Sequence, residues 1–162
     1  MTEAGDYQIR RAQMSDAEAI GECVRSAYAK YLPRMRTPPA PMLESYNEVL
    51  ARHDVWVLEV QESLGGVIVL TEEPGCLLID NVAIHPMHQN RGFGRALLEF
   101  AEEIARNRQL GSLRLYTNEK MAENIALYGR LGFEEIERKC DEGYRRVFMR
   151  KNLQPLKDRE IE

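Results

Sequence analysis

The chain has 162 residues, a length that suits one domain with its own hydrophobic core. Hydrophobic residues make up 44% of it and charged residues 30%, which is ordinary for a globular protein in water. The net charge of −4 at pH 7 argues against a general nucleic-acid binder, because such proteins usually carry a surplus of positive charge. We therefore expect no nucleic-acid partner.

Membrane segments and structural cysteine pairs are not expected either. The sequence contains no apolar run of about 18 residues, the length that a spanning helix needs. The first six residues are acidic and lack an apolar stretch, unlike a secretory signal. Cys23, Cys76 and Cys140 are far apart and odd in number, and they lack the spacing of a zinc site. We expect free thiols in the cytoplasm, no membrane partner and no bound metal.

The first half of the chain predicts a strand, two helices and a hairpin. Four prolines fall within residues 32–42, but too little chain precedes them for a separate domain, so we interpret this stretch as a loop within one domain. The predicted elements, in chain order, are a strand at Tyr7–Arg11, a helix from a Ser15–Glu18 capping box to about Tyr28, the proline-rich loop, a short helix at 42–52, and strands at 55–61, 67–71 and 76–84.

The second half predicts a strand–helix–strand crossover followed by a helix and a hairpin. The predicted elements are a helix at 96–105 that ends before Gly111, a strand at 113–117, a helix at 121–131, and strands at 133–139 and 144–151. The fold class is therefore α+β, a mixed and mostly antiparallel sheet of about seven strands with about four helices and a central βαβ unit. We expect a single domain over 1–162, with a core at 7–152 and a polar tail at 153–162.

A glycine-containing loop, Gln89-Asn90-Arg91-Gly92-Phe93-Gly94-Arg95, joins the strand at 76–84 to the helix at 96–105. Glycines let backbone approach a ligand closely, and a helix start presents free N–H groups with a positive dipole end. This combination predicts a pyrophosphate site. A P-loop is excluded because no Lys-Ser or Lys-Thr follows the glycines. A dinucleotide loop is disfavoured because Leu97 occupies the place of the third small residue and an antiparallel hairpin precedes the loop.

The loop resembles the acetyl-CoA loop of GNAT-type N-acetyltransferases, in which Gln/Arg-x-x-Gly-x-Gly/Ala follows a strand. Asn81-Val82-Ala83-Ile84-His85-Pro86 resembles the fourth strand of that family and the turn after it. The run from Asn124 to Phe133 resembles its later helix and the strand that follows. The three motifs occur in the family's order over residues 76–150, whereas the N-terminal half carries no diagnostic motif. The resemblance implies the GNAT fold, a bacterial-type single-domain enzyme of unassigned substrate, and acetyl-CoA as cosubstrate.

The resemblance also implies roles for individual residues. The backbone of Val82, Ala83 and Ile84 is expected to bind the pantetheine arm, and one N–H of this strand to bind the acetyl carbonyl oxygen. Tyr128 is expected to lie near the coenzyme sulfur and to protonate the departing thiolate as the catalytic acid. The expected cofactor-binding residues are Val82, Ala83, Ile84, Gln89, Asn90, Arg91, Gly92, Phe93, Gly94, Arg95, Asn118, Asn124 and Tyr128.

Two parts of the expected site stay open at this point. Many family members have an asparagine seven residues before the tyrosine, where this chain has Met121, and either Asn118 or Asn124 could supply the lost contact. The general base is not identified. Asp80, His85, His88 and a water chain are the candidates.

The acceptor in this family is recognised by the first two helices and the last hairpin. Arginines among aromatic residues suit a small molecule with a carboxylate or phosphate. We therefore expect transfer of an acetyl group to a primary amine of a small molecule, by direct attack in a ternary complex, in a monomer or homodimer. Acetylation of a protein N-terminus or lysine, and coenzyme A binding without catalysis, are the alternatives. The expected substrate-binding residues are Tyr28, Tyr31, Arg34, Arg36, Asp80 and Tyr144.

Overall fold

The computed structural model describes residues 6–153, which group into two compact units, residues 6–70 with 81–98 and residues 71–80 with 99–153. The strands are β1 (Tyr7–Arg11), β2 (Asp54–Val60), β3 (Ser63–Glu73), β4 (Cys76–Ile84), β5 (Ser112–Asn118), β6 (Glu134–Asp141) and β7 (Tyr144–Asn152). The α-helices are α1 (Ala17–Tyr28), α2 (Tyr46–Arg52), α3 (Phe93–Asn107) and α4 (Ala122–Arg130). Short 3₁₀ turns cover Met14–Asp16, Ala29–Arg34, Ala40–Leu43 and Pro86–His88.

The strands form a seven-stranded mixed sheet in the order β1-β2-β3-β4-β5-β7-β6. β4 and β5 pair in parallel, with Cys76 opposite Ser112 and Ile79 opposite Leu115. The pairs β1–β2, β2–β3, β5–β7 and β6–β7 are antiparallel. Because α3 connects the parallel pair, β4-α3-β5 is the βαβ unit that the sequence predicts. The α+β fold class, with seven strands and four α-helices, is confirmed.

The first unit, residues 6–70 and 81–98, packs α1 and α2 on the sheet around one apolar cluster. Ile20, Val24 and Ala27 recur at helical spacing, so α1 presents one apolar face to the strands. Burial of such faces is the main favourable term in folding. The buried cluster consists of Ile20, Val24, Ala27, Tyr46, Val49, Val55, Val57, Val67, Val69 and Ala83.

The start of α1 differs from the prediction. Asp16 accepts a hydrogen bond from the backbone N–H of Gln13 at 2.7 Å and two more from the Arg10 guanidinium at 2.9 and 3.0 Å. The capping box thus consists of Gln13, directly before the 3₁₀ turn Met14–Asp16, and Asp16, the last residue of that turn. Helix α1 begins directly after this turn, at Ala17. The expected capping box of Ser15 and Glu18 was wrong, because an arginine from β1 fixes the neighbouring carboxylate instead.

The second helix is shorter than predicted. A 3₁₀ turn covers Ala40–Leu43, Glu44 and Ser45 are extended, and α2 begins only at Tyr46. The Tyr46 hydroxyl donates to the Pro41 carbonyl at 2.7 Å, which ties the turn to the first residue of the helix. The prediction of a helix from residue 42 was wrong because prolines before it favour a tight turn over α-helical hydrogen bonding.

The second unit, residues 71–80 and 99–153, contains β5, β6, β7 and α4. Leu113 and Leu115 alternate with half-buried residues along β5, so one face of this strand is buried. Lys151 Nζ on β7 donates to Glu102 Oε1 on α3 at 2.8 Å. β6 is the edge strand and almost all of its residues are exposed, which fits its charged sequence.

The expected polar tail at 153–162 lies outside the described residues except for Leu153. Leu153 is buried, and its N–H donates to the Gly111 carbonyl at 2.9 Å. Within residues 6–153, none of the helices is both long and apolar enough to cross a membrane.

Replacement of Gly66 tests the packing of β3 against β4. A Cβ at this position would lie 2.8 Å from Ile84 Cδ1 and 3.3 Å from both the Ala83 carbonyl oxygen and Leu97 Cδ1. We expect Gly66→Ala to lower the free energy of unfolding by about 1–3 kcal/mol, because the added methyl overpacks the site. Urea unfolding followed by circular dichroism measures the change.

Gly129→Ala is the matched control for this substitution. A Cβ at Gly129, within α4, would meet nothing within 4 Å. We expect unchanged or slightly greater stability, by up to about 1 kcal/mol, because alanine is the better helix former. If Gly66→Ala were as stable as Gly129→Ala, the close approach of β3 to β4 would be refuted.

Candidate active site

The loop between β4 and α3 contains two residues with left-handed backbone conformation. Asn90 has a φ of 64° and Gly92 a φ of 84°. Asparagine and glycine are the residues that adopt this region at least cost. The two left-handed residues turn the chain sharply, so that it passes from the extended residue Gln89 into α3 within a few residues.

Helix α3 begins at Phe93, three residues before the predicted start at 96. The N–H of Ala96 donates to the Gly92 carbonyl at 3.0 Å, which is the first turn of the helix. Phe93, Gly94 and Arg95 thus form the first turn of α3, and the helix geometry leaves the N–H groups of Phe93 and Gly94 without an acceptor inside the helix. These three residues were predicted as loop residues. They instead form the positive end of the helix dipole.

Side chains hold the loop against the end of β4. Gln89 Nε2 donates to the Ile84 carbonyl at 2.9 Å, and the N–H of His85 donates to the Gly65 carbonyl on β3 at 2.9 Å. The N–H of Met87 donates to His85 Nδ1 at 3.2 Å. Gln89, which the sequence predicts as a cofactor residue, thus has its side-chain amide engaged in fixing where the loop leaves the strand.

Arg91 lies over its own loop. Its guanidinium carbon is 4.9 Å from the centre of the Phe93 ring, and one guanidinium nitrogen is 3.3 Å from His88 Nδ1. The Phe93 ring is 3% exposed and packs edge-on against Tyr7. Partial burial, followed by the charge of Arg91, lowers the pKa of His88, which favours the neutral ring that can accept from arginine. Arg95, the other predicted arginine, is exposed in the first turn of α3.

The strand before the loop alternates in burial. Ala83 is 5% exposed within the apolar cluster of the first unit, whereas Val82 and Ile84 are half-buried. Asn81, directly before them, is 8% exposed, and its side-chain oxygen accepts a hydrogen bond from the Tyr28 hydroxyl at 2.7 Å. Sequence reasoning assigned no role to Asn81, because a polar residue within a strand gives no signal of its partners.

Four predicted acceptor-binding residues lie at the end of α1 and in the segment that follows it. The rings of Tyr28 and Tyr31 are 6.1 Å apart, and the guanidinium carbon of Arg34 is 5.1 Å from the centre of the Tyr31 ring. Tyr31 is 3% exposed and so belongs to the core, while Arg34 and Arg36 are exposed. The structure thus brings three of these residues together and leaves Arg36 on the surface of the loop.

Tyr128 lies on α4 in the second unit and is 7% exposed. Its ring packs edge-on against Phe133 with 5.9 Å between the ring centres. Its carbonyl accepts the N–H of Phe133 at 3.0 Å, since Gly132 takes a φ of 101° and turns the chain back. The Leu-Gly-Phe turn after the helix therefore fixes the position of the tyrosine.

The two candidate asparagines lie on either side of Met121. Asn118 Oδ1 accepts the backbone N–H of Lys120 at 2.8 Å and so supports the turn before α4. Asn124 Nδ2 donates to the sulfur of Met121 at 3.7 Å, and Thr117 Oγ1 donates to the same sulfur at 3.6 Å. Met121 is 4% exposed, so the residue at the family's asparagine position is a buried thioether. The roles of Asn118 and Asn124 stay predictions.

Asp80 and Tyr144 belong to polar groups on the sheet of the second unit. Asp80 Oδ2 accepts a hydrogen bond from Thr71 Oγ1. Arg146 is 7% exposed, with its guanidinium carbon 4.5 Å from the Tyr116 ring centre and 5.4 Å from that of Tyr144. Burial raises the pKa of Tyr116, and the charge of Asp80 adds to this rise. Sequence reasoning missed Arg146 and Tyr116, because they meet only through the pairing of β5 with β7.

Metal ligands do not cluster in this part of the chain. Among residues 6–153, no group of three or more histidine, cysteine, aspartate or glutamate side chains could hold a metal ion.

A family profile decides what this arrangement of strand, loop and helix belongs to. The profile of the acetyltransferase (GNAT) family matches residues 22–133, which is more than half of the chain. The chain belongs to the GNAT family. It is therefore an acetyl-CoA-dependent N-acetyltransferase, as the three sequence motifs predict.

Individual GNAT proteins resemble this chain over most of its length. An uncharacterized N-acetyltransferase of Escherichia coli, YjgM, is 29% identical over 138 residues, which cover 80% of this chain and 83% of the relative. The structure of the PaiA N-acetyltransferase of Thermoplasma acidophilum, in complex with coenzyme A, superposes with a TM-score of 0.77 at 18% identity and covers 91% of this chain and 99% of that one. The ribosomal-protein-S18-alanine N-acetyltransferase of Escherichia coli superposes with a TM-score of 0.75 at 21% identity, covering 91% and 94%.

The loop of this GNAT enzyme is suited to the coenzyme. Acetyl-CoA carries a pyrophosphate, and the first turn of α3 offers the backbone N–H groups of Phe93 and Gly94 beside two left-handed loop residues. A Cβ at Gly92 would meet no protein atom within 4 Å, and one at Gly94 would meet only Ile84 Cγ1 at 3.8 Å. The glycines thus leave open the surface on which the N–H groups lie.

Gly94→Ala separates the coenzyme role of this loop from its folding. A contact of 3.8 Å is ordinary, so we expect the free energy of unfolding to change by less than about 0.5 kcal/mol. We expect the dissociation constant of coenzyme A to rise about tenfold or more, because the methyl group stands where the pyrophosphate approaches the backbone. Isothermal titration calorimetry measures it.

Gly111→Ala is the control, since its Cβ would make only an ordinary contact of 3.7 Å with the Gly75 carbonyl, away from the loop. Its coenzyme A affinity is expected to equal that of the wild type. Equal affinity in Gly94→Ala as well would remove Gly94 from the coenzyme site.

Proposed function

We propose that this enzyme transfers the acetyl group of acetyl-CoA to a primary amine of a small molecule by direct attack in a ternary complex, with Tyr128 as the acid. The observation that carries the proposal is the fixed, almost buried position of Tyr128 before the Leu-Gly-Phe turn. Acetyl-CoA supplies a thioester, whose sulfur leaves as a thiolate. The phenolic hydroxyl of Tyr128 donates a proton to that sulfur.

Direct attack is favoured over a covalent enzyme intermediate by the state of the buried thiols. Burial raises the pKa of Cys23 to about 12, and it also raises the pKa of Cys76. A thiol acts as a nucleophile only as the thiolate, so neither group is poised to accept an acetyl group at neutral pH. Cys140 is free and exposed on the edge strand β6. Free thiols also fit the cytoplasmic location that we infer.

The backbone of β4 and the loop holds the donor in this proposal. Val82, Ala83 and Ile84 bind the pantetheine arm, and an N–H of the strand stabilises negative charge on the acetyl oxygen. The first-turn N–H groups of α3 and the left-handed loop bind the pyrophosphate. Asn118 or Asn124 supplies an amide contact to the arm in place of the family asparagine.

The acceptor proposal rests on the segment after α1. Arg34 lies against Tyr31, which is paired with Tyr28, and both Arg34 and Arg36 are exposed. Guanidinium groups bind carboxylate and phosphate through paired hydrogen bonds, which favours an acceptor that carries such a group in addition to its amine. Asp80 and Tyr144 are the other two proposed substrate-binding residues.

A protein N-terminus is the second candidate acceptor. It is favoured by the structural similarity to the ribosomal-protein-S18-alanine N-acetyltransferase, which superposes with a TM-score of 0.75. A protein substrate would place a peptide backbone, rather than a lone anionic group, beside the exposed arginines of the loop.

An amine panel with acetyl-CoA distinguishes these acceptors. The panel contains small amines with a carboxylate, small amines with a phosphate, matched amines that lack either group, and short peptides with a free N-terminal alanine. We expect thiol release, read with a thiol reagent, to be fastest with an anionic small amine. The proposed acceptor class is wrong if only the peptides, or only the neutral amines, are turned over.

Tyr128→Phe tests the acid. We expect kcat to fall about 100-fold or more, as is usual on loss of a general acid, with little change in the dissociation constant of coenzyme A. Tyr7→Phe is the matched control, because it removes the same hydroxyl from a ring on β1. A kcat for Tyr128→Phe within about twofold of the control would exclude Tyr128 as the acid.

A further inference from the structure

Asn81 is the centre of a series of hydrogen bonds that runs through the first unit. The Tyr28 hydroxyl donates to Asn81 Oδ1 at 2.7 Å. Asn81 Nδ2 donates to the Tyr46 hydroxyl oxygen at 3.4 Å, and the Tyr46 hydroxyl donates to the Pro41 carbonyl at 2.7 Å. In each of these three hydrogen bonds an O–H or N–H group donates to an oxygen. The Tyr46 hydroxyl takes part in two of them, as the acceptor from Asn81 and as the donor to Pro41.

The series is buried. Asn81 is 8% exposed and Tyr46 6% exposed. Burial raises the pKa of Tyr46 well above its ordinary value, so its hydroxyl keeps the proton that it donates to Pro41. Removal of one member leaves a buried polar group without its partner, which costs more than the bond itself contributes. The series therefore behaves as a unit rather than as three independent contacts.

Three parts of the first unit meet at this asparagine. Tyr28 is the last residue of α1, Tyr46 is the first residue of α2, and Pro41 lies in the 3₁₀ turn between them. These residues bracket the acceptor segment, defined here as residues 29–45, which contains no α-helix or strand. Asn81 itself lies on β4, one residue before the Val82–Ile84 backbone.

We propose that Asn81 is a positioning residue that couples the acceptor segment to the strand that holds acetyl-CoA. Its amide accepts from one end of the segment and donates to the other, and it thereby sets the separation between the acceptor-binding side chains and β4. Asn81 contacts neither the acceptor nor the reacting atoms. The claim that the acceptor segment binds the acceptor rests on the proposed function. The claim that Asn81 couples this segment to β4 rests on the hydrogen-bond geometry alone.

Limited proteolysis of the Asn81→Leu variant tests the coupling without any substrate. Trypsin cleaves after arginine, and Arg34 and Arg36 are exposed within the acceptor segment. We expect the rate of cleavage at these two sites to rise about fivefold or more in Asn81→Leu, because the loss of a buried hydrogen bond raises the population of the open segment by about that factor. Mass spectrometry of the fragments assigns the cut sites.

Kinetics distinguish positioning from general damage. For the panel amine with the highest turnover, we expect the KM of Asn81→Leu to rise about fivefold or more, while the coenzyme A dissociation constant by calorimetry stays within about twofold. Tyr46→Phe, which removes only a hydroxyl, is expected to show the same pattern and guards against misfolding of the leucine variant. Tyr7→Phe, the matched hydroxyl deletion outside the series, is expected to leave both the cleavage rate and the KM unchanged.

The outcomes separate this proposal from the proposed function. Wild-type cleavage rates in both Asn81→Leu and Tyr46→Phe would overturn the coupling. Coenzyme A affinity that falls as much as acceptor affinity would also overturn it, since the strand itself would then be damaged. Absence of turnover by the wild type with every amine would overturn the proposed function and the acceptor part of this proposal, whereas the cleavage rates would still decide whether Asn81 holds the segment.

Discussion

The backbone conformation of Asn90 and Gly92 is the constraint on which the junction between β4 and α3 depends. Both residues have positive φ, and the chain can pass from β4 into α3 within a short loop because of them. Because of this loop conformation, the Gly92 carbonyl accepts the first helical hydrogen bond of α3, from the N–H of Ala96. The N–H groups of Phe93 and Gly94, before Ala96, therefore have no partner along the helix. A β-branched residue at either position would strain this geometry. The placement of the first-turn N–H groups therefore follows from local backbone conformation, and the arginine side chains are secondary to it.

Arg91 illustrates why the side chains are secondary. Its guanidinium packs on Phe93 and contacts the neutral ring of His88, so part of its interaction energy is already used within the loop. An arginine side chain loses rotamer freedom when it binds a phosphate. Backbone N–H groups lose little conformational freedom, because the helix already fixes their positions. The dipoles at the start of α3 are thus preorganised, and their strength depends little on side-chain identity.

Buried polar groups organise the rest of the described structure. Asn81 joins α1, α2 and β4 through its amide, and Arg146 joins β5 and the final hairpin through Tyr116, Tyr144 and Asp141. Each is almost fully buried. Asn81 forms hydrogen bonds with tyrosines distant in the sequence, whereas Arg146 donates to Asp141 within the final hairpin. Apolar packing tolerates substitutions of similar volume, whereas a buried amide or guanidinium requires partners in particular directions. Such groups specify how irregular segments, including residues 29–45, attach to the sheet.

The sequence by itself determined the α+β class, the order of strands and helices, and the motifs that place the chain in an acetyl-CoA-dependent family. Apolar periodicity and glycine placement are local properties of the chain. The sequence placed the capping box of α1 and the starts of α2 and α3 wrongly, because the contact of Arg10 with Asp16, the turn at Pro41 and the backbone angle of Gly92 are not encoded in periodicity. Only the tertiary structure decided that Tyr31 is buried and that Met121 accepts hydrogen bonds from Thr117 and Asn124. It also decided that Asn81 holds two tyrosines, because a hydrogen bond between residues more than thirty positions apart exists only once the strands and helices have packed.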